Sequence, residues 1–437
     1  MKGPPQHAVA ACSVFDGTRL HDGCAVVIEG SCIAGIVPKG SLPASIPVRH
    51  MPDGAWLAPG FIDTQVNGGG DVLFNDAPTP EGIAAIVKAH RHFGTTSLMP
   101  TFLSDSEDKM RQALSAVQTL VGVDAGVLGI HFEGPFLSPD KAGVHDPRWI
   151  RSPRSADVEM LTSLRGGVTL VTLAPERVPP GFVAQLAGAG IRVSLGHSMA
   201  TYAQTRLALS QGLTGFTHLF NAMRPLASRE PGPIAAALEE PGAWFGIIVD
   251  GEHVAPAMLR LALRGEGRPM LVTDAMPPVG GGRSTFALYG REITVRNGRC
   301  TTGDGTLAGT LLDMASAVRN SVRLSGCRLP RRCVSHRRLP PPSSASRTGS
   351  AISRPDIAPT WWRSIPRRSG YWRPGSPARA RRARVVIADA AHKDALPHPG
   401  RGQSDIQETG PPTGTGHLDE QMQASLSRWC EPAAGLG

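Results

Sequence analysis

Short apolar runs alternate with helical patterns along the chain between residues 59 and 326. Residues 81–93 place apolar side chains at helical spacing before Gly94, and residues 200–211 form a second such segment before Gly212. Repeated alternation of strands and helices is typical of a parallel sheet with helices packed outside it. The length of the segment from residue 59 to residue 326 predicts an α/β fold of the TIM-type (β/α)8 barrel class.

Residues 1–58 show a different pattern, in which short alternating strands are joined by turns. The clearest strands cover residues 11–15, 25–29 and 33–37, and Asp-Gly pairs at 16–17 and 22–23 supply turns. This pattern predicts a small β-sandwich domain beside the barrel of residues 59–326.

Residues 327–437 differ from both preceding segments. They hold 18 of the 45 Arg and Lys residues but 8 of the 36 Asp and Glu residues, with almost no apolar periodicity. We interpret this segment as a disordered, aberrant tail of the kind that out-of-frame translation of a GC-rich gene produces. Both domains would then be incomplete at the C-terminal end. A basic nucleic-acid-binding tail is the alternative, but we predict no nucleic-acid partner.

Composition narrows the class of protein further. The apolar fraction of 41% is enough for a sizeable core. The seven cysteines are odd in number and contain no C-x-x-C pair, which argues against a disulfide framework and a cysteine zinc site. We therefore expect a cytoplasmic location. No apolar run approaches the roughly 18 residues of a membrane helix, so no membrane partner is expected.

Four apolar runs end on a group that can bind a metal ion or move a proton. In a parallel barrel all strand C-termini open on one face, so the four end groups should form one site: Glu133, His197, His218 and Asp274. A carboxylate with two imidazoles suits one divalent Zn or Fe ion and leaves a coordination position for water or substrate. Asp274 is then the predicted proton-transfer group.

Five sequence blocks carry a family resemblance. They are Pro59-Gly60-Phe61-Ile62-Asp63, His131-Phe132-Glu133-Gly134-Pro135-Phe136, Gly196-His197-Ser198, His218-Leu219-Phe220-Asn221-Ala222-Met223 and Thr273-Asp274-Ala275. In this order and spacing, residues 8–326 resemble the N-acetylglucosamine-6-phosphate deacetylases of the amidohydrolase superfamily. The resemblance implies a homodimer that hydrolyses the N-acetyl group of this sugar phosphate with the help of a metal ion.

The resemblance also implies roles for residues outside the four strand ends. His145 would lie over the substrate and polarise the acetyl carbonyl, as a second catalytic group beside Asp274. The other implied substrate-binding residues are Asn221 and Ala222 at the phosphate end, Arg229 and His253 as cationic groups, and the loop Leu307, Ala308 and Gly309. In this family the neighbouring subunit can supply such an arginine.

The resemblance implies a single metal ion as well. Many relatives in the superfamily carry His-x-His after the first barrel strand, where it helps to bind a second metal, but this chain has Gln65 and Asn67 there. Neutral amides are poor ligands beside imidazole and carboxylate. Another His-x-His, at His90 and His92, lies on a predicted helix, where residues two apart face different ways. We interpret it as surface or packing.

Two further alternatives concern the reaction itself. The same chemistry could act on another amide, such as the galactosamine epimer or a cyclic imide, because a barrel fold does not fix the substrate. Relatives also continue beyond the equivalent of Gly326 with elements that complete both domains. A truncated, inactive relative is therefore the other alternative.

Overall fold

Strands from the N-terminal segment form two sheets of a small β-domain. The computed structural model describes residues 6–17, 19–124, 126–325 and 385–388. The N-terminal strands are β1 (Gln6–Ala10), β2 (Ser13–Phe15), β3 (Leu20–Asp22), β4 (Cys24–Glu29), β5 (Cys32–Pro38), β6 (Val48–His50) and β7 (Trp56–Pro59). One sheet has the order β5-β4-β1-β6, and β7, β2 and β3 belong to the other. Val9, Val14, Val26 and Leu57 from both sheets share one buried cluster, so the predicted small β-domain is confirmed.

Eight parallel strands form the predicted barrel. The first is β8 (Phe61–Val66), which a short hairpin of β9 (Gly68–Gly69) and β10 (Val72–Leu73) follows. The others are β11 (Thr95–Leu103), β12 (Gly129–Glu133), β13 (Val168–Leu173), β14 (Arg192–Leu195), β15 (Gly215–Phe216), β16 (Trp244–Ile247) and β17 (Arg268–Leu271). Each pairs with the next barrel strand along the chain, which confirms the α/β barrel.

The barrel closes through residues that follow β17. The backbone N–H of Asp274 donates to the carbonyl of Gln65 at 3.0 Å, and the N–H of Asn67 donates to the carbonyl of Ala275 at 2.9 Å. The buried carboxylate of Asp63 accepts a hydrogen bond from Thr273 Oγ1 at 2.5 Å. We call residues 63–67 and 273–275 the barrel seam. It lies at the barrel mouth, the end where the strands have their C-termini.

Helices cover the outside of the barrel. They are α1 (Pro80–Arg91), α2 (Glu107–Leu120), α3 (Ser155–Leu161), α4 (Phe182–Gly188), α5 (Tyr202–Ser210), α6 (Gly232–Glu239), α7 (Pro256–Ala262) and α8 (Met314–Ser325). The predicted segments 81–93 and 200–211 correspond to α1 and α5, with ends shifted by one or two residues. Among the helices described, none has both the length and the apolar character needed to cross a membrane.

Helix α1 shows how the sequence sets these boundaries. The side chain of Thr79 accepts a hydrogen bond from the N–H of Gly82, and Pro80 occupies the first turn, where its missing N–H costs nothing. Gly94 has a φ of 86°, a value that glycine adopts readily, and it lets the chain turn back into β11.

A three-stranded antiparallel sheet follows the barrel strands. Its strands are β18 (Thr285–Leu288), β19 (Arg291–Arg296) and β20 (Arg299–Thr301). Phe286, Leu288 and Ile293 from this sheet pack with Leu103, at the end of β11, and with Met276. The sheet therefore lies against the barrel mouth.

One strand of the C-terminal segment pairs with the small β-domain. β21 (Val385–Ala388) runs antiparallel to β7, with Val385 opposite Pro59 and Ala388 opposite Trp56. No strand is predicted after residue 326, because the region lacks apolar periodicity, but a four-residue run is enough for an edge strand. The rest of the predicted tail of residues 327–437 lies outside the described residues.

Phe102 is expected to be a main contributor to barrel stability. Its ring makes edge contacts with Phe74 at 5.7 Å and with Phe132 at 6.2 Å between centroids, and it is 1% exposed. Phe102→Ala should lower the free energy of unfolding by about 3–5 kcal/mol in denaturant titrations, because it leaves a cavity.

Val123→Ala is the matched control for Phe102→Ala, because Val123 is 77% exposed. We expect the control to change the free energy of unfolding by less than about 0.5 kcal/mol. Equal effects of the two substitutions would show that the aromatic contacts do not stabilise the barrel.

Candidate metal and catalytic site

Three of the predicted site residues share an uncommon backbone conformation. His197, His218 and Asp274 have φ values of 48°, 33° and 51°. Residues other than glycine seldom adopt positive φ, and those that do concentrate at functional sites. The fourth residue, Glu133, ends β12 and is followed by Gly134, whose φ is 89°. At each of these strand ends the chain therefore turns sharply as it enters the barrel mouth.

Glu133, His197 and His218 bring three donor atoms together. Glu133 Oε1 lies 3.0 Å from His197 Nε2 and 2.9 Å from His218 Nε2, and the two Nε2 atoms are 3.0 Å apart. Ligands of a tetrahedral zinc ion with bonds of about 2.1 Å stand roughly 3.4 Å apart. Within the described part of the chain, this is the one group of His, Cys, Asp and Glu residues found to have a geometry that could hold a metal ion.

The hydrogen bonds of His197 leave the correct nitrogen free for a metal. Its Nδ1 lies 2.7 Å from the backbone carbonyl of Lys141. A carbonyl can only accept, so Nδ1 carries the proton and Nε2 presents its lone pair to the cluster. His218 Nδ1 is buried and has no partner among the described residues. The donor set therefore fits a divalent metal ion.

The charge of the cluster resides on Glu133. Burial alone would raise the pKa of Glu133, but the adjacent imidazoles of His197 and His218, whose Nε2 atoms lie 3.0 and 2.9 Å from Oε1, hold it well below its usual range. Burial lowers the pKa of His218, but the hydrogen bond and the charge of Glu133 together raise it above its ordinary value. Glu133 is therefore ionised at neutral pH, the form in which a carboxylate can bind a metal ion.

Two neutral amides bond Asp274, and one of them, Gln65, also bonds Glu133. Asn67 Nδ2 donates to Asp274 Oδ1 at 2.7 Å. Gln65 Nε2 lies 3.2 Å from the same oxygen and 3.3 Å from Glu133 Oε2. Burial and the charge of Glu133 raise the pKa of Asp274 above that of an ordinary aspartate. Since both amides bond Oδ1, Oδ2 is the oxygen that is able to accept a proton.

His145 lies against the cluster as a neutral imidazole. Its ring is 4.5 Å from that of His197, and burial lowers its pKa to about 3. Its Nδ1 accepts from the backbone N–H of Ser104 at 3.3 Å and lies 3.0 Å from Ser104 Oγ. A backbone N–H can only donate, so the proton of this imidazole resides on Nε2. Ser104 is not among the residues predicted from the sequence, although it directly follows barrel strand β11.

Two of the predicted substrate segments border the cluster. Asn221 Nδ2 donates to the carbonyl of His218 at 3.3 Å, and Ala222 has a φ of 48°. The loop of Leu307, Ala308 and Gly309 leads into Thr310, whose N–H donates to the carbonyl of Asp274 at 3.0 Å. A Cβ on Gly309 would lie 2.9 Å from that same carbonyl oxygen. The close approach therefore requires glycine.

The two predicted cationic groups differ in position. His253 Nδ1 lies 2.6 Å from Asp250 Oδ2. Burial and Glu133 raise the pKa of Asp274, and His253 is close enough to oppose that shift in part. His253 therefore lies near the site. Arg229 is exposed, and no ion pair joins it to the described residues. The described chain does not bring its guanidinium into the cluster.

The two side chains of the His90 and His92 pair face different surroundings, as predicted from their spacing on a helix. His90 is fully buried on α1, and its Nε2 lies 2.9 Å from the carbonyl of Gly68. His92 is exposed at the C-terminal end of that helix. His90 thus serves packing and His92 lies on the surface.

Comparison with known proteins places this geometry in a family. The model of the amidohydrolase family matches residues 56–274. The chain is 41% identical to an N-acetylgalactosamine-6-phosphate deacetylase of Shewanella sp. (strain ANA-3), over 69% of this chain and 77% of that protein. It is 32% identical to an N-acetylglucosamine-6-phosphate deacetylase of Haemophilus influenzae, over 72% and 84% of the two chains.

A solved structure agrees with the sequence comparisons. The crystal structure of N-acetylglucosamine-6-phosphate deacetylase from Pasteurella multocida superposes with a TM-score of 0.72 and 33% identity. The match covers 75% of this chain and 87% of that one.

We expect the purified chain to hold about one divalent metal ion at the cluster, as three-ligand sites in proteins do. His197→Asn should abolish tight binding, because it removes the nitrogen that the Lys141 contact leaves free. Metal analysis after dialysis against a weak chelator measures this.

His92→Asn is the matched control for His197→Asn, since His92 is exposed and lies outside the cluster. The control should retain the metal content of the parent chain. Equal metal content in both variants would show that the ion binds elsewhere.

Proposed function

This chain belongs to the amidohydrolase family, and on that premise we propose that it deacetylates N-acetylglucosamine 6-phosphate to glucosamine 6-phosphate and acetate. The observation that carries the proposal is the cluster of Glu133, His197 and His218 with Asp274 beside it. The names of similar proteins support the substrate class, because they are deacetylases of amino-sugar phosphates.

Glu133, His197 and His218 are the proposed ligands of one divalent Zn or Fe ion. Such an ion would act as a Lewis acid towards water and towards the acetyl carbonyl oxygen. The amides of Gln65 and Asn67 bond carboxylate oxygens by donation, so they oppose a second cation at that position. These contacts support the proposal of a single metal ion per chain.

Asp274 is the proposed general base and acid. Its Oδ2 takes the proton from the attacking water, and its raised pKa allows the carboxyl to keep that proton until the amine departs. The leaving amine must be protonated, because an amide anion is too basic to leave. His145 presents its Nε2–H to the acetyl oxygen, where negative charge develops during the attack.

The phosphate end of the substrate is proposed to bind at the border of the cluster. Asn221 and Ala222 offer polar and backbone groups, and His253 and Arg229 offer positive charge for a phosphate. Leu307, Ala308 and Gly309 would line the sugar, since this loop touches the backbone of Asp274. Because Arg229 is exposed, we propose that it acts across a homodimer on the site of the other subunit.

The galactosamine epimer is the second candidate substrate. The 41% identity to an N-acetylgalactosamine-6-phosphate deacetylase favours it specifically. The two substrates differ only in the configuration of one ring hydroxyl, which lies away from the reacting amide. Acetate release from both epimers, compared as kcat/KM, decides between them. Absence of release from either substrate by folded, metal-loaded protein would contradict the proposal and favour the inactive-relative alternative.

Asp274→Asn should lower kcat by about 10²–10⁴-fold, because the amide cannot take a proton from water. Metal content should stay at the parent level, since Asp274 is not a proposed ligand. Steady-state acetate release together with metal analysis measures both effects.

Asp108→Asn is the matched control, because Asp108 is exposed on the first turn of α2. It should keep the parent kcat. Near-normal turnover by folded, metal-loaded Asp274→Asn protein would rule out the proposed role of this carboxyl group.

Arg229→Ala should raise KM for the phosphorylated substrate by roughly 10-fold or more, as the loss of a charged hydrogen bond does. It should leave turnover of N-acetylglucosamine, which lacks the phosphate, nearly unchanged. Mixing Arg229→Ala chains with Asp274→Asn chains should restore activity, because one site of each mixed dimer then has both groups. If activity is not restored in a verified mixed dimer, Arg229 does not act on the site of the other subunit. It then acts on its own subunit's site or takes no part in substrate binding.

A further inference from the structure

The turn between β18 and β19 contacts both backbone segments that hold His145. Tyr289 Oη donates to the carbonyl of Ser104 at 2.6 Å, and Arg291 Nη2 donates to the carbonyl of Val144 at 2.7 Å. We propose that Tyr289 and Arg291 are positioning residues that hold the His145 imidazole over the substrate carbonyl. The inference deepens the proposed function and rests on it.

The contact between Tyr289 and Ser104 reaches His145 through one residue. Ser104 makes its bonds to His145 Nδ1 with its N–H and its hydroxyl, while Tyr289 binds its carbonyl. Tyr289 thus restrains the carbonyl end of Ser104, the residue whose N–H and hydroxyl contact the imidazole. Its hydroxyl remains a donor, because burial raises the pKa of Tyr289 well above that of free tyrosine.

Val144 supplies the second support. It directly precedes His145, and its carbonyl accepts the guanidinium hydrogen bond of Arg291. The N–H of His145 bonds the carbonyl of Ala142 at 3.1 Å, which completes a tight turn under the imidazole. One hairpin turn therefore holds the two segments between which the ring lies.

The conformation of Tyr289 indicates that its side-chain contacts offset a cost in the turn. Tyr289 and Gly290 are the two central residues of the turn, with φ values of 54° and 76°. Two-residue turns of this kind favour Asn, Asp or Gly at both positions, and a bulky side chain is disfavoured there. Tyrosine weakens the turn, so its gain lies in its side-chain contacts. The ring packs with Leu103 and Met276, and the hydroxyl bonds the carbonyl of Ser104.

The loss of the hydroxyl should spare the fold. Leu103, the residue before Ser104, has its N–H and its carbonyl bonded to the buried side chain of Asn75, at 2.9 and 3.0 Å. The segment therefore stays anchored on one side when Tyr289 is replaced. What it loses is the restraint on Ser104, which acts directly on His145.

Two substitutions separate positioning from stability. Tyr289→Phe removes the hydroxyl, and Tyr289→Asn removes it while it improves the turn. Both should lower kcat about 3- to 10-fold with little change in KM, as loss of one hydrogen bond to a positioned group does. Tyr289→Phe keeps the ring that packs with Leu103 and Met276, so it should melt near the parent temperature while its kcat falls. Tyr289→Asn loses that packing as well, so it shows whether kcat follows the hydroxyl or the melting temperature.

Tyr202→Phe is the matched control, because Tyr202 on α5 also donates one hydrogen bond, to Glu239 at 2.7 Å. It should keep the parent kcat. Arg291→Met should reduce kcat like Tyr289→Phe, and Arg291→Lys should restore most of it. A parent kcat in Tyr289→Phe, or a decrease in kcat that only follows the melting temperature, would overturn the proposal.

A double-mutant cycle tests the route through His145. In a His145→Asn chain, Tyr289→Phe should cause no further loss of kcat, because the group that it positions is gone. Fully additive losses would contradict the proposal.

A spectroscopic measurement needs no turnover at all. In ¹⁵N-histidine-labelled protein, the signal assigned through His145→Asn should show the proton on Nε2 in the parent chain and a mixture of tautomers in Tyr289→Phe. An unchanged tautomer in Tyr289→Phe would refute the proposal even if the parent chain hydrolyses neither sugar phosphate. Failure of the deacetylase proposal is thereby distinguished from failure of this one.

Discussion

The seam that closes the barrel is the constraint on which the site depends. Thr273 bonds the buried carboxylate of Asp63 through its hydroxyl, while the N–H of Asp274 bonds the carbonyl of Gln65. On the other side, the carbonyl of Asp274 accepts the N–H of Thr310 at 3.0 Å. The backbone of Asp274 is thus held from both directions. These contacts from both sides allow a left-handed conformation, with its energetic cost, to persist at Asp274, the proposed proton-transfer group.

Much of this arrangement can be predicted from local patterns, because each strand end carries its own signal. An apolar run that stops on Glu133 or Asp274 is visible in the sequence, and the geometry of a parallel barrel then brings such ends together. Strand lengths are less predictable. The run that ends at His218 gives a strand of only two residues, β15, because the turn begins soon afterwards. The surrounding barrel strands fix its register in spite of that length.

Supporting contacts cannot be predicted in the same way. Tyr289 and Ser104 are 185 positions apart, and neither has a neighbouring pattern that points to the other. β21 is a related case, because strand pairing uses backbone groups and requires little more than a run of residues that can adopt an extended conformation. A segment without periodicity can therefore still provide an edge strand. The interpretation of residues 327–437 as an aberrant tail stays a prediction.

Two carboxylates in one buried site must either share a cation or differ in protonation behaviour. Here the imidazoles lower the pKa of Glu133, while burial and the charge of Glu133 raise that of Asp274. Gln65 and Asn67 bring amide N–H groups, not a second positive charge, so they stabilise the pair without cancelling this difference. Two histidines in their place could bind a cation, which would hold Asp274 ionised and make it a poorer proton carrier. The amide pair is therefore consistent with the proposed single metal ion, because it leaves Glu133 as the proposed ligand and Asp274 as the proposed proton carrier.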